Sequence, residues 1–290
     1  MELRHIRYFL AVAAEKNFTR AAERVGIGQP PLSLQIRDLE REVGARLFHR
    51  IPQGAELTEA GKAFHDLVRN IPDHVERATQ SARRTARGEL GALAVGYTNS
   101  SALNPVFAAA LRSYRRAYPG VALSLQESLT PQLIDDLLDE QLDVAFVRPV
   151  EADAEHVKIR LISEEPLMAV LPGKHRAAKL TKLNLADLRD ESFILHRYTP
   201  SLFDAVIAAC RKAGFEPALG PSIPQLVTIV QLVAAEVGVS LVPASLQAFQ
   251  IKGVVFKELH DVSPKTRLSL AWRRTDTSPF LKNFLACAFG

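Results

Sequence analysis

Apolar positions in the first third of the chain recur at helical spacing; beyond residue 90 they switch to short apolar runs alternating with amphipathic segments. Residues 4–14 place Ile6, Phe9, Leu10 and Ala13 on one face, which predicts a helix. Asn17 offers a cap for a short second helix, Phe18–Val25, and Gly26-Ile27-Gly28 breaks it. Pro30-Pro31 starts a third helix, because proline fits a first turn where its missing N–H costs little. Leu32, Ile36, Leu39 and Val43 give that helix its stripe, and Gly44 ends it. Leu47-Phe48 is a short apolar segment, residues 51–55 form a turn, and Glu56-Leu57-Thr58 returns from it. Thr58-Glu59-Ala60-Gly61 opens a long helix that runs to about Arg87, with a turn or kink at Pro72. Its stripe is modest: Ala63, Leu67, Val75, Ala78 and Ala82. One small domain cannot bury a helix this long and polar, so pairing with a second chain is expected.

From Leu90 the texture is strand and helix in alternation. Strands are predicted at 93–98, 121–127 and 143–147, with helices at 104–118 and 131–140 between them. That βαβαβ order predicts a parallel sheet with helices on both faces. A long extended stretch covers 159–171. A second series follows, with strands at 193–196, near 218–223 and at 239–242, and helices at 201–213 and 224–235. Strands at 254–259 and 267–273 and a helix at 279–289 close the chain. Two similar α/β halves joined by extended crossovers predict a cleft between them.

The chain has 290 residues, enough for about two domains. Its composition, 47% hydrophobic and 23% charged, is that of a globular protein with a real core. Charge changes the picture more. Residues 1–88 hold 15 Lys and Arg against 11 Asp and Glu, whereas residues 89–290 hold 21 of each. All the excess positive charge lies in the first third, which hints at a polyanion-binding module on a neutral body. Two cysteines, Cys210 and Cys287, cannot build a disulfide framework or a four-ligand zinc site, and suit a reducing cytoplasm. The apolar run near the N-terminus is short, without a small-residue cleavage site, and the most apolar stretch, 226–249, contains Glu236, Gly238 and Pro243. Neither a signal peptide nor a membrane span is expected.

Three helices with a tight glycine turn, followed by a β-turn, form a winged helix-turn-helix pattern. Such a module presents the start of its third helix to base edges in the major groove. Gln29, Pro30, Pro31, Ser33, Leu34 and Arg37 occupy that start, Thr19 flanks it, and Arg50 and Gln53 lie at the wing. Gln reads adenine in a bidentate way, proline rings pack on thymine methyls, and Ser33 and Thr19 suit phosphate contacts. The run FTRAAERVGIGQPPLSLQIRDLEREVGARLFHR, followed by LTEAG, closely resembles the LysR-type transcriptional regulators. It carries the paired alanine, the Q-P before the recognition helix, I-x-x-L-E, G-x-x-L-F-x-R and L-T-x-A-G in order. Ala21-Ala22, Leu39, Leu47 and Phe48 are expected in the core instead of at DNA. The chain departs from family members that carry Arg where Leu34 and Gln53 stand, which implies a different site preference and a weaker salt dependence.

The resemblance extends over the whole chain and implies an α+β protein in two parts. These are an N-terminal winged helix-turn-helix (1–58) with a linker and dimerisation helix (59–88), and a two-lobed α/β effector domain of periplasmic-binding-protein type (89–290). Lobe I is expected at about 89–162 and 268–290, and lobe II at about 163–267. Ligands of open α/β sheets bind beyond the carboxyl ends of strands, which selects three segments: 98–101, 128–130 and 198–203. Hydroxyls and helix N–H groups there suit a carboxylate, with ordinary helix capping as the rival reading. The opening MELRHIRYF and the later QLVAAEVGVSLVPAS resemble regulators of aromatic-compound degradation, which respond to muconates, chloromuconates or benzoate. On that resemblance Ser100, Thr130 and Phe203 fall at effector contacts, with Thr98 and Asn99 beside them. Arg148 is a charge partner for the acid or a hinge salt bridge. The T-N-S-S loop is more polar than the V-G-S of muconate sensors, which leaves the acid open.

No GxSxG, HExxH or GxxxxGK[ST] is present, the histidines pair with no Cys or Asp at a useful spacing, and no enzyme activity, metal or cofactor is expected. The implied partners are promoter DNA, a small carboxylic-acid effector, further copies of the chain as dimer or tetramer, and RNA polymerase. The implied role is activation of a divergently placed aromatic catabolic operon. The alternatives are a repressor, a sensor of an unrelated metabolite, and, from another class, a solute-binding protein. The N-terminal module speaks against the last.

Overall fold

The computed structural model describes residues 1–51, 54–149, 155, 157–196 and 199–290. These form two compact units, residues 1–84 and 85–290. In the first, α1 (Leu3–Glu15), α2 (Phe18–Val25) and α3 (Gln29–Val43) precede a hairpin of β1 (Phe48–Ile51) and β2 (Gly54–Leu57). Asn17 caps α2 by accepting from Thr19 and Arg20 N–H. Gly26 and Gly44 end α2 and α3 at φ of 74° and 78°, where a side chain would be strained. Ile6, Phe9, Val12, Ala21, Ala22, Leu32, Ile36, Leu39, Leu47 and Phe48 form the core, with Phe64 edge-on to Phe9.

Two polar ties fix the hairpin to the helices. Glu40 Oε1 accepts from the Leu47 and Phe48 N–H groups at 2.8 and 3.1 Å, so α3 holds the start of β1. Thr58 accepts from Gly61 N–H and donates to the Arg46 carbonyl, which caps α4 (Glu59–Val68) and binds the chain entering the wing. At Gly61 a Cβ would collide with the Leu47 carbonyl oxygen, so only glycine permits this approach.

The single long helix expected from 58 to 87 is two helices: α4, and α5 from Ile71 to Ala86. The break falls at Arg69-Asn70, just before Pro72. Pro72 has no N–H to offer the Val68 carbonyl and its ring would crowd it, so the proline starts a new helix instead of kinking the old one. No residue of α5 is buried, and Leu67 on α4 is 82% exposed.

The second unit begins with β3 (Gly91–Tyr97), α6 (Asn99–Ala102), α7 (Pro105–Ala117), β4 (Val121–Glu127), α8 (Thr130–Leu138) and β5 (Val144–Val147). There follow β6 (Val157–Pro172), β7 (Ser192–Leu195), α9 (Pro200–Lys212), β8 (Ala218–Ser222), α10 (Leu226–Ala234) and β9 (Ser240–Pro243). β10 (Val254–Lys257), β11 (Lys265–Arg273) and α11 (Pro279–Phe289) complete it. The main sheet runs β10-β6-β11-β5-β3-β4, with β9 also paired to β6. β4, β3 and β5 are parallel, as the βαβαβ order requires, but β11 and β6 join antiparallel, so the sheet is mixed.

β6 explains why the halves are less alike than expected. Its first part pairs with β11, and residues from Leu167 onward pair with β9 and β10. One strand thus serves both lobes. The second lobe carries these antiparallel pairs beside a separate parallel β7-β8 pair. Its core gathers Leu171, Leu185, Phe193, Leu202, Val206, Ile229 and Val242, while Val95, Tyr114, Phe146, Leu270 and Phe284 form the first lobe's.

Gly61→Ala forces the Leu47 carbonyl aside. We expect a loss of about 1–3 kcal/mol in the first unit, read as a lower urea midpoint in the full chain.

Candidate functional site

Helix α3 has two faces. Leu32, Ser33, Ile36 and Leu39 are buried, while Pro30, Pro31, Leu34, Arg37 and Arg41 are exposed along the opposite side at helical spacing. Gln29 and Thr19 are exposed at the adjoining helix starts, and Arg50 is exposed on β1 with its guanidinium 5.1 Å from the Phe18 ring centre. Pro30, Pro31, Leu34 and Arg37 therefore share one solvent face of α3, while Gln29 at its start, Thr19 on α2 and Arg50 on β1 are exposed on their own. Ser33 is the exception. It is 5% exposed, and its hydroxyl accepts from Gln29 Nε2 at 2.8 Å. Ser33 thus positions the glutamine amide from beneath. Gln53 lies outside the described residues. Arg41, which the sequence reading passed over, extends the face by one turn and pairs with Asp38.

In the second unit the parallel register places the carboxyl ends of β4, β3 and β5 at one sheet edge, with β3 in the middle. Thr98–Ser101 follows β3, Thr130 follows β4 and Arg148 follows β5, so topology brings these three segments together. The first is not the open loop expected. It is the short helix α6, which Thr98 caps by accepting from Ser101 N–H, while Ser101 Oγ accepts from Thr98 N–H. Both hydroxyls are thereby committed to capping. Asn99 Nδ2 reaches Glu127 Oε1 at 3.4 Å and ties the ends of β3 and β4.

Ser100 is 2% exposed. Its hydroxyl lies 3.2 Å from Thr98 Oγ1 and accepts from Arg148 Nε at 3.1 Å. Thr130 differs from the others. It is 7% exposed, and its Oγ1 is buried without a hydrogen-bond partner at the start of α8, where Leu129 provides no side-chain cap. A buried orphan hydroxyl costs about 1–3 kcal/mol unless something satisfies it. Phe203 sits half-buried on the first turn of α9, packed against the second lobe's core. α9 meets the edge directly, because Ser201 Oγ donates to the Arg148 carbonyl at 3.1 Å.

Arg148 is 1% exposed and forms a buried salt bridge with Glu165. Nη2 reaches Glu165 Oε1 on β6 at 3.1 Å and the Ser100 carbonyl at 3.2 Å, and Nη1 donates to Thr266 Oγ1 on β11 at 2.8 Å. Asn104 Nδ2 and Ser245 N–H complete the shell of Glu165. Burial pushes the guanidinium pKa down, but arginine starts high enough to stay charged. Burial alone would raise the Glu165 carboxyl. Hydrogen bonds from Asn104 and Ser245 and the attraction of Arg148 outweigh it and hold the carboxyl below its ordinary value.

Sequence reading missed Glu165, Asn104, Thr266 and Ser245. Glu165 stands in the polar run Ser163-Glu164-Glu165 of β6, just before its apolar half, and nothing in that pattern marks it out. His196 is buried, which pushes its pKa down and keeps it neutral. Burial pushes the Cys210 thiol up to about 11, so it is no ready nucleophile. Among the described residues no group of His, Cys, Asp and Glu can hold a metal, and no helix is long and apolar enough to cross a membrane.

A helix-turn-helix with a solvent-facing recognition helix, followed by a two-lobed α/β unit with a buried polar edge, defines a DNA-binding regulator with a ligand-binding type of body. The family profile described as "Bacterial regulatory helix-turn-helix protein, lysR family" matches residues 3–62, and that described as "LysR substrate binding domain" matches residues 86–289. The chain belongs to the LysR family of transcriptional regulators, and it is not an enzyme. It is 37% identical over 287 residues to the HTH-type transcriptional regulator BudR of Raoultella terrigena, covering 98% of this chain and 99% of that one. It is 35% identical over 287 residues to the HTH-type transcriptional regulator CatR of Pseudomonas putida, covering 98% and 97%. The crystal structure of full-length CbnR complexed with its target DNA superposes with a TM-score of 0.86 at 29% identity, covering 99% of this chain and 98% of that one.

Glu165→Gln leaves Arg148 buried with no countercharge. We expect a loss of about 3–5 kcal/mol at neutral pH, read by urea unfolding. A depressed carboxyl contributes stability that is present above its unfolded pKa and lost as pH falls through the folded one. The gap between wild type and variant therefore narrows as pH drops below the ordinary carboxylate range.

Proposed function

We propose that this LysR-family regulator senses a small organic acid at the carboxyl edge of β4-β3-β5, and that the bound acid changes how it acts at its promoter. The observation that carries the reading is Thr130 Oγ1: buried, unpartnered, at an uncapped helix start one strand from Ser100. A carboxylate there accepts from that hydroxyl and from the first N–H groups of α8, whose positive end favours an anion. Phe203 on α9 offers an apolar wall. That pairing favours an unsaturated or aromatic acid, and the resemblance of MELRHIRYF and QLVAAEVGVSLVPAS to regulators of aromatic degradation supports the same class. The site is closed, so the acid enters as the lobes part and binding favours one lobe orientation over another.

The remaining roles follow the family resemblance. The stripe Pro30, Pro31, Leu34 and Arg37, with Gln29, Thr19 and Arg50, meets operator DNA, and the similarity to CbnR bound to its target DNA supports this. The exposed Leu67 and fully unburied α5 suit pairing with another copy, giving a dimer or tetramer that holds two half-sites. The chain then acts as an activator of an aromatic catabolic operon, with RNA polymerase as its target.

Gln29→Ala should cost about 1–3 kcal/mol of specific binding and barely change random-duplex binding. Gel shifts on both duplexes read this, and equal losses on the two would remove Gln29 as a base reader.

Thr130→Val keeps the shape of the side chain and removes the orphan hydroxyl. Stability should hold or rise, because no native hydrogen bond is lost, while acid-dependent reporter induction falls by about 1–3 kcal/mol in apparent affinity. A panel of benzoate, muconate and aliphatic acids, run beside acid-free gel shifts, separates sensing from DNA binding. An unchanged dose response in Thr130→Val would move the effector elsewhere.

A further inference from the structure

The strands that carry the Arg148–Glu165 bridge have a second face. Thr266 pairs across with Glu165, and both turn toward Arg148. Their neighbours Arg267 and Glu164 pair in the same register and, by strand alternation, turn the other way, as does Lys265. A cavity of about 430 Å³ takes Glu164, Lys265 and Arg267 from that face and is completed by Thr266, Ser201, Ser263 and Pro149.

We propose that this cavity is a second ligand site, separate from the edge at Thr130, and that it takes the phosphate monoester of a small metabolite. Its charge is positive: two cations against one carboxylate. Glu164 receives one bond from each, Lys265 Nζ at 2.8 Å and Arg267 Nε at 3.1 Å. Among the described residues neither cation has another partner, so the Arg267 Nη groups and the remaining Lys265 N–H groups stay available as donors. Glu164 holds the two heads in place without saturating them.

The donors come from several directions. Lys265 and Arg267 rise from β11, Ser263 lies before it, and Ser201 is the second residue of α9. That helix has 13 residues, and its cap Thr199 makes no side-chain capping bond, so its positive end is left for an anion. A planar carboxylate meets such a set with two oxygens, whereas a tetrahedral phosphate presents acceptors on all sides. The volume exceeds a bare phosphate and lies in the range of small-metabolite pockets, so an organic remainder lies along Pro149.

The ligand would touch the effector edge through Ser201. That residue lines the cavity and donates its hydroxyl to the Arg148 carbonyl, and its helix carries Phe203 two residues on. The metabolite would therefore tune the relative placement of α9 and Arg148.

The test is titration calorimetry on the full chain with glycerol 3-phosphate, with inorganic phosphate and glycerol as separate arms. Saturable binding of glycerol 3-phosphate, tighter than inorganic phosphate and absent for glycerol, is expected. Arg267→Ala should weaken it by about tenfold, as for a lost charge-assisted bond. Glu164→Gln should tighten it several-fold by removing the competing carboxylate, an outcome that phosphate bound at the basic DNA-contact face would not produce. Equal affinity in wild type, Arg267→Ala and Glu164→Gln overturns the proposal, as does inorganic phosphate binding as tightly as the monoester. Both variants sit at exposed side chains, so folding is checked by an unchanged urea midpoint.

Discussion

A guanidinium removed almost wholly from water organises the effector-binding unit. Arg148 follows β5 at the sheet edge, and the cost of burying its charge is met only if every donor finds an acceptor. Glu165, Thr266 and Ser100 supply them from β6, β11 and α6. The bridge thus fixes the helix after β3 to the two strands that run toward the second lobe. It also reaches that lobe twice, through Ser201 on α9 and through Ser245, whose N–H holds the other oxygen of Glu165. A disturbance at Ser100 has a short physical route to both lobes.

The same logic of fixed frame and free surface governs the first unit. Residues of the family pattern that look like chemistry are mostly scaffold. Glu40 holds the start of the wing, Thr58 caps α4 and ties the same segment, and Gly61 allows the helix to approach. Ser33 supports Gln29 from beneath. What remains exposed on α3, the surface proposed above to meet DNA, is a stripe whose side chains make few commitments within the protein. Leu34 and the two prolines give it an apolar character suited to thymine methyls, and Arg37 and Arg50 supply charge.

The fold was legible where local periodicity decides structure. The three helices, the wing, the βαβαβ segment and the closing helix all follow from spacing and breakers. The single linker helix did not survive, because one proline outweighs a continuous polar pattern. β6 was recognised as extended, but its change of partner at Leu167 is set by pairing with strands far along the chain, β11 before it and β9 after it, and leaves no local mark. At the candidate site, the strand-end rule led to the segments of Ser100 and Thr130, which lie just after β3 and β4, while Arg148, named separately, follows β5. Thr98 turned out to be a helix cap, since a threonine before a helical turn satisfies the backbone first. The partners of Arg148 at 165 and 266 were out of reach, because sequence does not tell which strands flank β5.

Hydrogen exchange of the full chain, with and without a saturating acid from the responsive class, tests the central claim most directly. That claim is that an acid seated at the β4-β3-β5 edge is felt through Arg148 in both lobes. The account predicts added protection at 98–104 and 129–134, where the ligand and the buried bridge lie, and at 199–206 and 244–249, which Ser201 and Ser245 connect to it. Protection confined to 1–84, or to one lobe with the Arg148 partners unchanged, would contradict it.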